Sequence, residues 1–191
     1  MKRALVILNP MAGNSHQRRA VAQGIAEWRS RHGWHVQLRE TRRAGDATEI
    51  AQTEHGQYDL VVAAGGDGTV NEVMNGLVET DTALAALPIG TGNVWVRELQ
   101  QSVNPLTAAR QLVDGRVQRI DVGKANSRYF LLMAGIGLDA AITKMYALAI
   151  KNAWDAWHTS SKVCQCCGNY AARARGLALM VRRSKVTRCL C

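Results

Sequence analysis

One stretch limits what this chain can fold into more than any other: Val61-Val62-Ala63-Ala64-Gly65-Gly66-Asp67-Gly68-Thr69-Val70-Asn71-Glu72-Val73. The four small apolar residues read as the end of a buried strand. Gly65, Gly66 and Gly68 then strip side chains from the backbone around a lone acid, Asp67. Val70, Val73, Met74 and Leu77 follow at helical spacing, so the glycines mark a strand turning into a helix. Such a turn presents bare backbone N–H groups to a phosphate, helped by the positive end of the helix. A carboxylate held there repels an anion unless a metal or a transferring group lies between them. The stretch therefore points to nucleotide handling with phosphoryl chemistry.

The rest of the chain repeats the strand-then-helix pattern. Residues 4–9 read as a strand and 15–31 as a helix, with Ala20, Val21, Ile25 and Trp28 on one face and Arg18, Arg19, Arg29 and Arg31 on the other. Ser15 is the expected N-cap and Gly33 the expected stop. Strands are expected at 35–39, 59–64 and 83–87, and helices at 46–55, 71–79 and 105–114. Residues 119–122 and 128–134 read as an antiparallel pair across a turn at 124–127. The alternation argues an α/β fold, a doubly wound and mostly parallel sheet covered on both faces. In such a sheet the carboxyl ends of the strands share one edge, where ligands bind. Asn9, Thr41, Gly65 and Pro88 each follow a strand, so topology alone brings them together.

Composition divides the chain. Its 191 residues are 47% hydrophobic, enough for one ordinary core. Met1-Lys2-Arg3 runs straight into a strand, so no leader peptide is expected. The most apolar window, 129–150, is broken by Asp139 and Lys144 and reads as buried strand plus helix, not a membrane span. The net charge of +9 is uneven: residues 1–150 carry +2, residues 151–191 carry +7, and all five cysteines lie in the latter. We therefore read 1–145 as the folded domain and 146–191 as a basic, Cys-rich tail outside it. Cys164-x-Cys166-Cys167 and Cys189-x-Cys191 lack zinc-ligand spacing. The abrupt change near Thr143 reads as a truncated or frame-shifted end.

Four motifs carry a resemblance. Gly65-Gly66-Asp67-Gly68-Thr69 matches a GGDGT signature, and Asn9-Pro10-Met11-Ala12-Gly13 an NPxxG segment. Pro88-Ile89-Gly90-Thr91-Gly92-Asn93 is similar to PxGTxND, and Thr41 with Gly45-Asp46-Ala47 to T…GDA. In this order and spacing, from residue 2 to about 143, the chain resembles the diacylglycerol kinase catalytic domain superfamily. That superfamily takes in bacterial soluble lipid kinases and sphingosine kinases and, more distantly, NAD kinases. The resemblance implies the sheet of the diacylglycerol/NAD kinase type, with the family's second, β-rich domain missing. It implies ATP and Mg²⁺ as cofactors, and transfer of the γ-phosphate to a hydroxyl of diacylglycerol or a related lipid, impaired in this chain. The alternatives are a non-catalytic ATP-binding remnant and an NAD kinase; the 88–93 segment argues against the latter. The implied partners are a lipid substrate and, transiently, a membrane surface. No nucleic acid is expected, a homodimer stays open, and the implied location is cytoplasmic, peripheral at the inner membrane face.

For individual residues the resemblance implies nucleotide contact by Asn9, Pro10, Gly13, Thr41, Gly65, Gly66, Asp67, Gly68, Thr69, Val70, Asn71, Glu72 and Thr91. Asp67 is the implied catalytic residue and metal ligand. Blander readings stand beside these: a βα turn at Asn9-Pro10, an N-cap at Asp67, and solvent-facing helix residues at Asn71 and Glu72. Val94 stands where the family has an acid, which weakens metal or headgroup handling. Asp121 resembles a family acid, or is a strand-end charge. Arg42 and Arg43 read as a solvated loop, and His16, His32, His35, His55 and His158 as surface residues. Asp139 matches a family segment but is not assigned the general base, which the family draws from its second domain.

Overall fold

The strand–helix alternation forms as expected over the first two thirds of the chain. The computed structural model describes residues 2–131, residues 134, 135, 137, 140 and 141, and the backbone of 181–190. Two units divide the chain, Met1–Leu132 with Val181–Cys191, and Met133–Met180. The described strands belong to the first, as do helices α1–α5.

In chain order the first unit runs β1 (Arg3–Leu8), α1 (Ser15–His32), β2 (His35–Glu40), α2 (Asp46–Glu54), β3 (Leu60–Gly65), α3 (Asp67–Leu77), β4 (Ala83–Pro88), α4 (Val94–Glu98), α5 (Pro105–Gln111), β5 (Val117–Ala125), β6 (Arg128–Phe130) and β7 (Val181–Leu190). The strands form one sheet in the order β2-β1-β3-β4-β7-β5-β6. β1 pairs in parallel with both β2 and β3, and β3 in parallel with β4. β5 pairs antiparallel with β6 and β7.

The period-two pleat sorts the core into two layers. Ala4, Val6 and Leu8 of β1 face one side with Val62, Ala64, Ala85 and Leu87, under Val21, Ile25 and Trp28 of α1 and Ala108 and Ala109 of α5. Leu5, Ile7, Val61, Ala63, Leu84 and Ala86 face the other side, under Ala47 and Ala51 of α2, Val73, Met74 and Leu77 of α3, and Trp95 and Val96 of α4. β3 and β4 are buried throughout, which explains their continuous apolar sequence.

Several boundaries differ from expectation. The N-cap of α1 is Asn14, not Ser15: Asn14 Oδ1 accepts from Gln17 N at 2.9 Å, and Gln17 Oε1 accepts from Asn14 N at 3.0 Å, a reciprocal capping box. Gly33 ends the helix at φ 63°, as expected. α3 begins at Asp67, four residues before the expected start, and α4 was not anticipated. β7 is the largest difference. Its backbone lies inside the sheet between β4 and β5, although its residues fall within the stretch read as a tail outside the fold. A strand there gives β4 a partner on a side that would otherwise be an open edge. The helix tendency at 171–181 lies largely outside the described residues, as do Asp139, His158, Cys164, Cys166 and Cys167.

Candidate functional site

The turns after β1, β2, β3 and β4 are stitched together at the sheet's carboxyl edge. Asn9 N donates to Ala64 O at 2.9 Å, Ile89 N to Gly65 O at 3.1 Å, and Thr41 N to Leu8 O at 2.9 Å. A cavity of about 440 Å³ opens over this edge. Its walls include Asn9, Met11, Ala12, Thr41, Arg42, Arg43, Gly66, Gly68, Thr69, Glu72 and Gly90. All four motifs read from the sequence thus contribute to one cleft.

The glycines act through close approach. A Cβ on Gly66 would stand 3.3 Å from Gly90 Cα, and one on Gly90 would overlap Gly66 Cα, so two bare backbones meet there. A Cβ on Gly65 would collide with the Thr69 side chain, which folds back over it. Gly66 is the N-cap of α3, and no side chain caps this end. The first-turn N–H groups of an eleven-residue helix therefore remain open to an anion.

The individual side chains divide into three groups. Thr69, buried, accepts from Asn9 Nδ2 at its Oγ1 (3.3 Å) and sits in the cleft wall. Asn9 Oδ1 accepts from Met11 N at 3.0 Å, and Asn9 O from Ala12 N at 3.1 Å. The 9–13 turn thus spends two of its N–H groups on itself. Glu72 Oε2 accepts from Gly45 N at 3.1 Å, and Glu72 O from Thr48 Oγ1 at 2.8 Å, tying α3 to the start of α2. Gly45 holds φ 91° there, a conformation that favours glycine.

A second group adjoins the cleft without lining it. Asp67 Oδ1 accepts from Trp95 N at 3.2 Å, and its Oδ2 lies beside Gly92. The carboxylate thus faces the loop before α4, whose N-cap, Asn93, has left-handed backbone at φ 49°. Asn93 closes that loop: its Oδ1 accepts from Gly90 N at 3.1 Å and its Nδ2 donates to Gly90 O at 2.8 Å. Thr91 is exposed in the same loop. Gly13, at φ 65°, packs against Ile89, and Pro10 O accepts from Arg18.

The third group points elsewhere. Val70 is buried in the core under the sheet. Asn71 Oδ1 accepts from Leu131 N at 3.3 Å, so its amide faces β6 and not the cleft. Asp121 lines a separate cavity of about 320 Å³ with Trp95, Glu98, Ile120 and Phe130. His16, His32 and His35 are exposed, while His55 is half-buried against Thr82.

One participant was not anticipated. Arg18, expected on the outer face of α1, donates its Nη1 to Pro10 O, Ala12 O and Gly13 O at 3.1–3.3 Å and gathers the loop onto the helix. Its place one turn into the helix was the available signal. Arg42 and Arg43 lie in an exposed loop, as read from the sequence, and that loop also lines the cleft. Their backbone N–H groups donate to Asp46 Oδ2 at 2.8 and 3.0 Å, and these bonds, the Arg42 one foremost, hold the Asp46 carboxyl below its usual range. Arg43 also pairs with Asp46 and Glu49 through its side chain.

A family model described as the diacylglycerol kinase catalytic domain matches residues 3–125. A diacylglycerol kinase of Bacillus subtilis (strain 168) is 38% identical over 141 residues, 72% of this chain and 46% of that protein. One of Staphylococcus carnosus (strain TM300) is 31% identical over 188 residues, 97% of this chain and 57% of that protein. A solved diacylglycerol kinase structure from Bacillus anthracis str. Sterne superposes with a TM-score of 0.60 at 33% identity, covering 68% of this chain and 48% of that one. The chain thus spans about half the length of these relatives.

Proposed function

The chain belongs to the diacylglycerol kinase catalytic domain family, and from that premise we propose that its cleft takes the phosphates of ATP for transfer to a lipid hydroxyl. The observation that carries this reading is the uncapped start of α3, opened by Gly66 against Gly90. Phosphoryl transfer asks a protein mainly for positioning and charge stabilisation. The first-turn N–H groups of α3 would hold phosphate oxygens, Arg42, which lines the same cavity, would add positive charge, and Thr69, fixed by Asn9, would add a hydroxyl.

Mg²⁺ fits this donor set in one way. Among the described residues no group of three or more His, Cys, Asp or Glu could cage a metal. Mg²⁺, however, commonly keeps its waters and takes one or two carboxylates with substrate phosphates. Asp67 would be the protein ligand, held in place by Trp95 N–H. When bound, the ion would offset negative charge on the transferring group. Diacylglycerol or a related lipid as acceptor rests on the relatives' names, and with it go transient contact with a membrane surface and, ATP being the donor, a cytoplasmic location. Among the described residues no helix is long and apolar enough to cross a membrane.

The test is calorimetric titration of the 191-residue chain with Mg·ATP, alongside transfer of labelled γ-phosphate to diacylglycerol in mixed micelles. Binding that Gly90→Ala removes without unfolding the protein supports the reading. A folded chain that takes up no ATP at millimolar concentration refutes it.

A further inference from the structure

One face of α3 does work that the cleft does not use. Asn71, Asn75 and Glu79 follow one another at intervals of four, so the first two share one face of the helix, and Glu79 continues the row just past its end. All three meet the strand β6 and the residue after it. Asn75 Oδ1 accepts from Tyr129 N at 2.9 Å and its Nδ2 donates to Tyr129 O at 2.9 Å. The side-chain amide thereby pairs with one residue of β6 as a neighbouring strand would. Asn75 Nδ2 also donates to Asn71 O at 2.8 Å, and Asn71 Oδ1 accepts from Leu131 N at 3.3 Å. Tyr129 Oη donates to Glu79 Oε1 at 3.3 Å. A sheet edge normally leaves such N–H and C=O groups unpaired; here a helix takes them.

The other end of the same helix opens into the cleft at Gly66, Gly68 and Thr69. Asn75 lies roughly 12 Å along the axis from Asp67. A hydrogen-bonded helix of this length moves as a rod, so what fixes its start also fixes the amides that hold β6. We propose that Asn71 and Asn75 are positioning residues: they register β6 and Leu131 to the occupancy of the cleft. The inference rests on the reading of that cleft as a nucleotide site. It reassigns Asn71, whose amide serves β6 and not the phosphates.

Hydrogen exchange on the 191-residue chain tests this, with Mg·ATP binding followed separately by calorimetry. In the unaltered protein Mg·ATP should slow exchange of the Tyr129 and Leu131 amides several-fold. Asn75→Leu keeps the side-chain size but removes the pairing. Without nucleotide its Tyr129 amide should exchange about tenfold faster, and Mg·ATP should no longer slow it, while amides of β1 and β3 are unchanged. Asn71→Asp retains an acceptor for Leu131 N and should keep the response. Should Asn75→Leu not fold, Asn71→Leu takes its place and is read at Leu131. Binding without slowing in the unaltered protein overturns the coupling alone, as does slowing that survives in the leucine variants. Absence of binding in the titration overturns the functional reading and the coupling with it.

Discussion

Gly13 and Gly33 hold nearly the same left-handed backbone, φ 65° and 63°, but differ in what a methyl group would meet. A Cβ at Gly33 meets nothing within 4 Å; at Gly13 it meets Ile89 O and Gln17 Oε1, each at 2.6 Å. Alanine at Gly33 therefore measures backbone strain alone. That strain costs about 1–2 kcal/mol, and a less flexible unfolded chain offsets about 0.4–1 kcal/mol of it. Gly13→Ala carries the same strain plus overpacking, generally ~1–3 kcal/mol. The upper part of that range, ~2–3 kcal/mol, applies here, because Ile89 O is backbone and Gln17 can withdraw only by giving up its bond to Asn14 N. At ~2–4 °C per kcal/mol for a chain of this size, Gly13→Ala should melt roughly 4–12 °C below Gly33→Ala. Scanning calorimetry of both variants in one buffer makes the comparison. Gly13→Ala should also weaken Mg·ATP binding, and Gly33→Ala should not. Melting points within about 2 °C of each other would show that the 9–13 turn is not seated on Ile89, and the account of the cleft's first wall would fall with it.

Asp67→Asn should weaken nucleotide binding more with Mg²⁺ than without it, by calorimetry in magnesium and in EDTA; equal losses would make Asp67 a purely structural anchor for Trp95 N. Glu72→Ala removes the acceptor for Gly45 N–H, so the Gly45 amide should exchange severalfold faster and ATP affinity should drop; an unchanged Gly45 amide would refute that link. The hydrogen bond from Arg110 holds the Glu27 carboxyl down at about 2, below its ordinary 4.5. A depressed folded value means the pair stabilises fully above the unfolded value and loses that contribution as pH falls from about 4.5 toward 2. Glu27→Gln should therefore flatten the melting-temperature profile between pH 5 and about 3, and a profile as steep as that of the unaltered protein would count against this pair.

The parallel half of the fold was legible because its strands are continuous apolar runs and its helices carry a one-sided stripe. Val61 to Ala64 can hardly be anything but a buried strand. The start of α3 was harder to read. Glycine disfavours a helix, so Gly66-Asp67-Gly68 reads as loop, yet Gly68 lies in the first turn of α3, which is anchored from its other side by Val70, Val73 and Met74 against the sheet. α4 is only five residues long and opens on a left-handed asparagine, which no periodicity announces. β7 joins the sheet from far along the chain, a pairing that local pattern cannot encode. At the site, motifs identified the cleft but not the direction of each side chain. Asn71 and Val70 sit within the motif and face away from the cleft, because consecutive helical residues point about 100° apart.

The meeting of Gly66 and Gly90 restricts how this cleft can change. Most tight contacts can be relieved by trimming whichever partner is larger. Here neither residue has a side chain to trim, so a Cβ at Gly90, which would overlap Gly66 Cα, can be accommodated only by moving backbone. The lip formed by residues 11 and 42–44 presents its side chains to solvent instead. Met11 is 90% exposed, and Arg42, Arg43 and Ala44 are open to solvent beside it. Substitutions meant to reshape the cleft without disturbing the fold belong along that lip and not at the glycine seam.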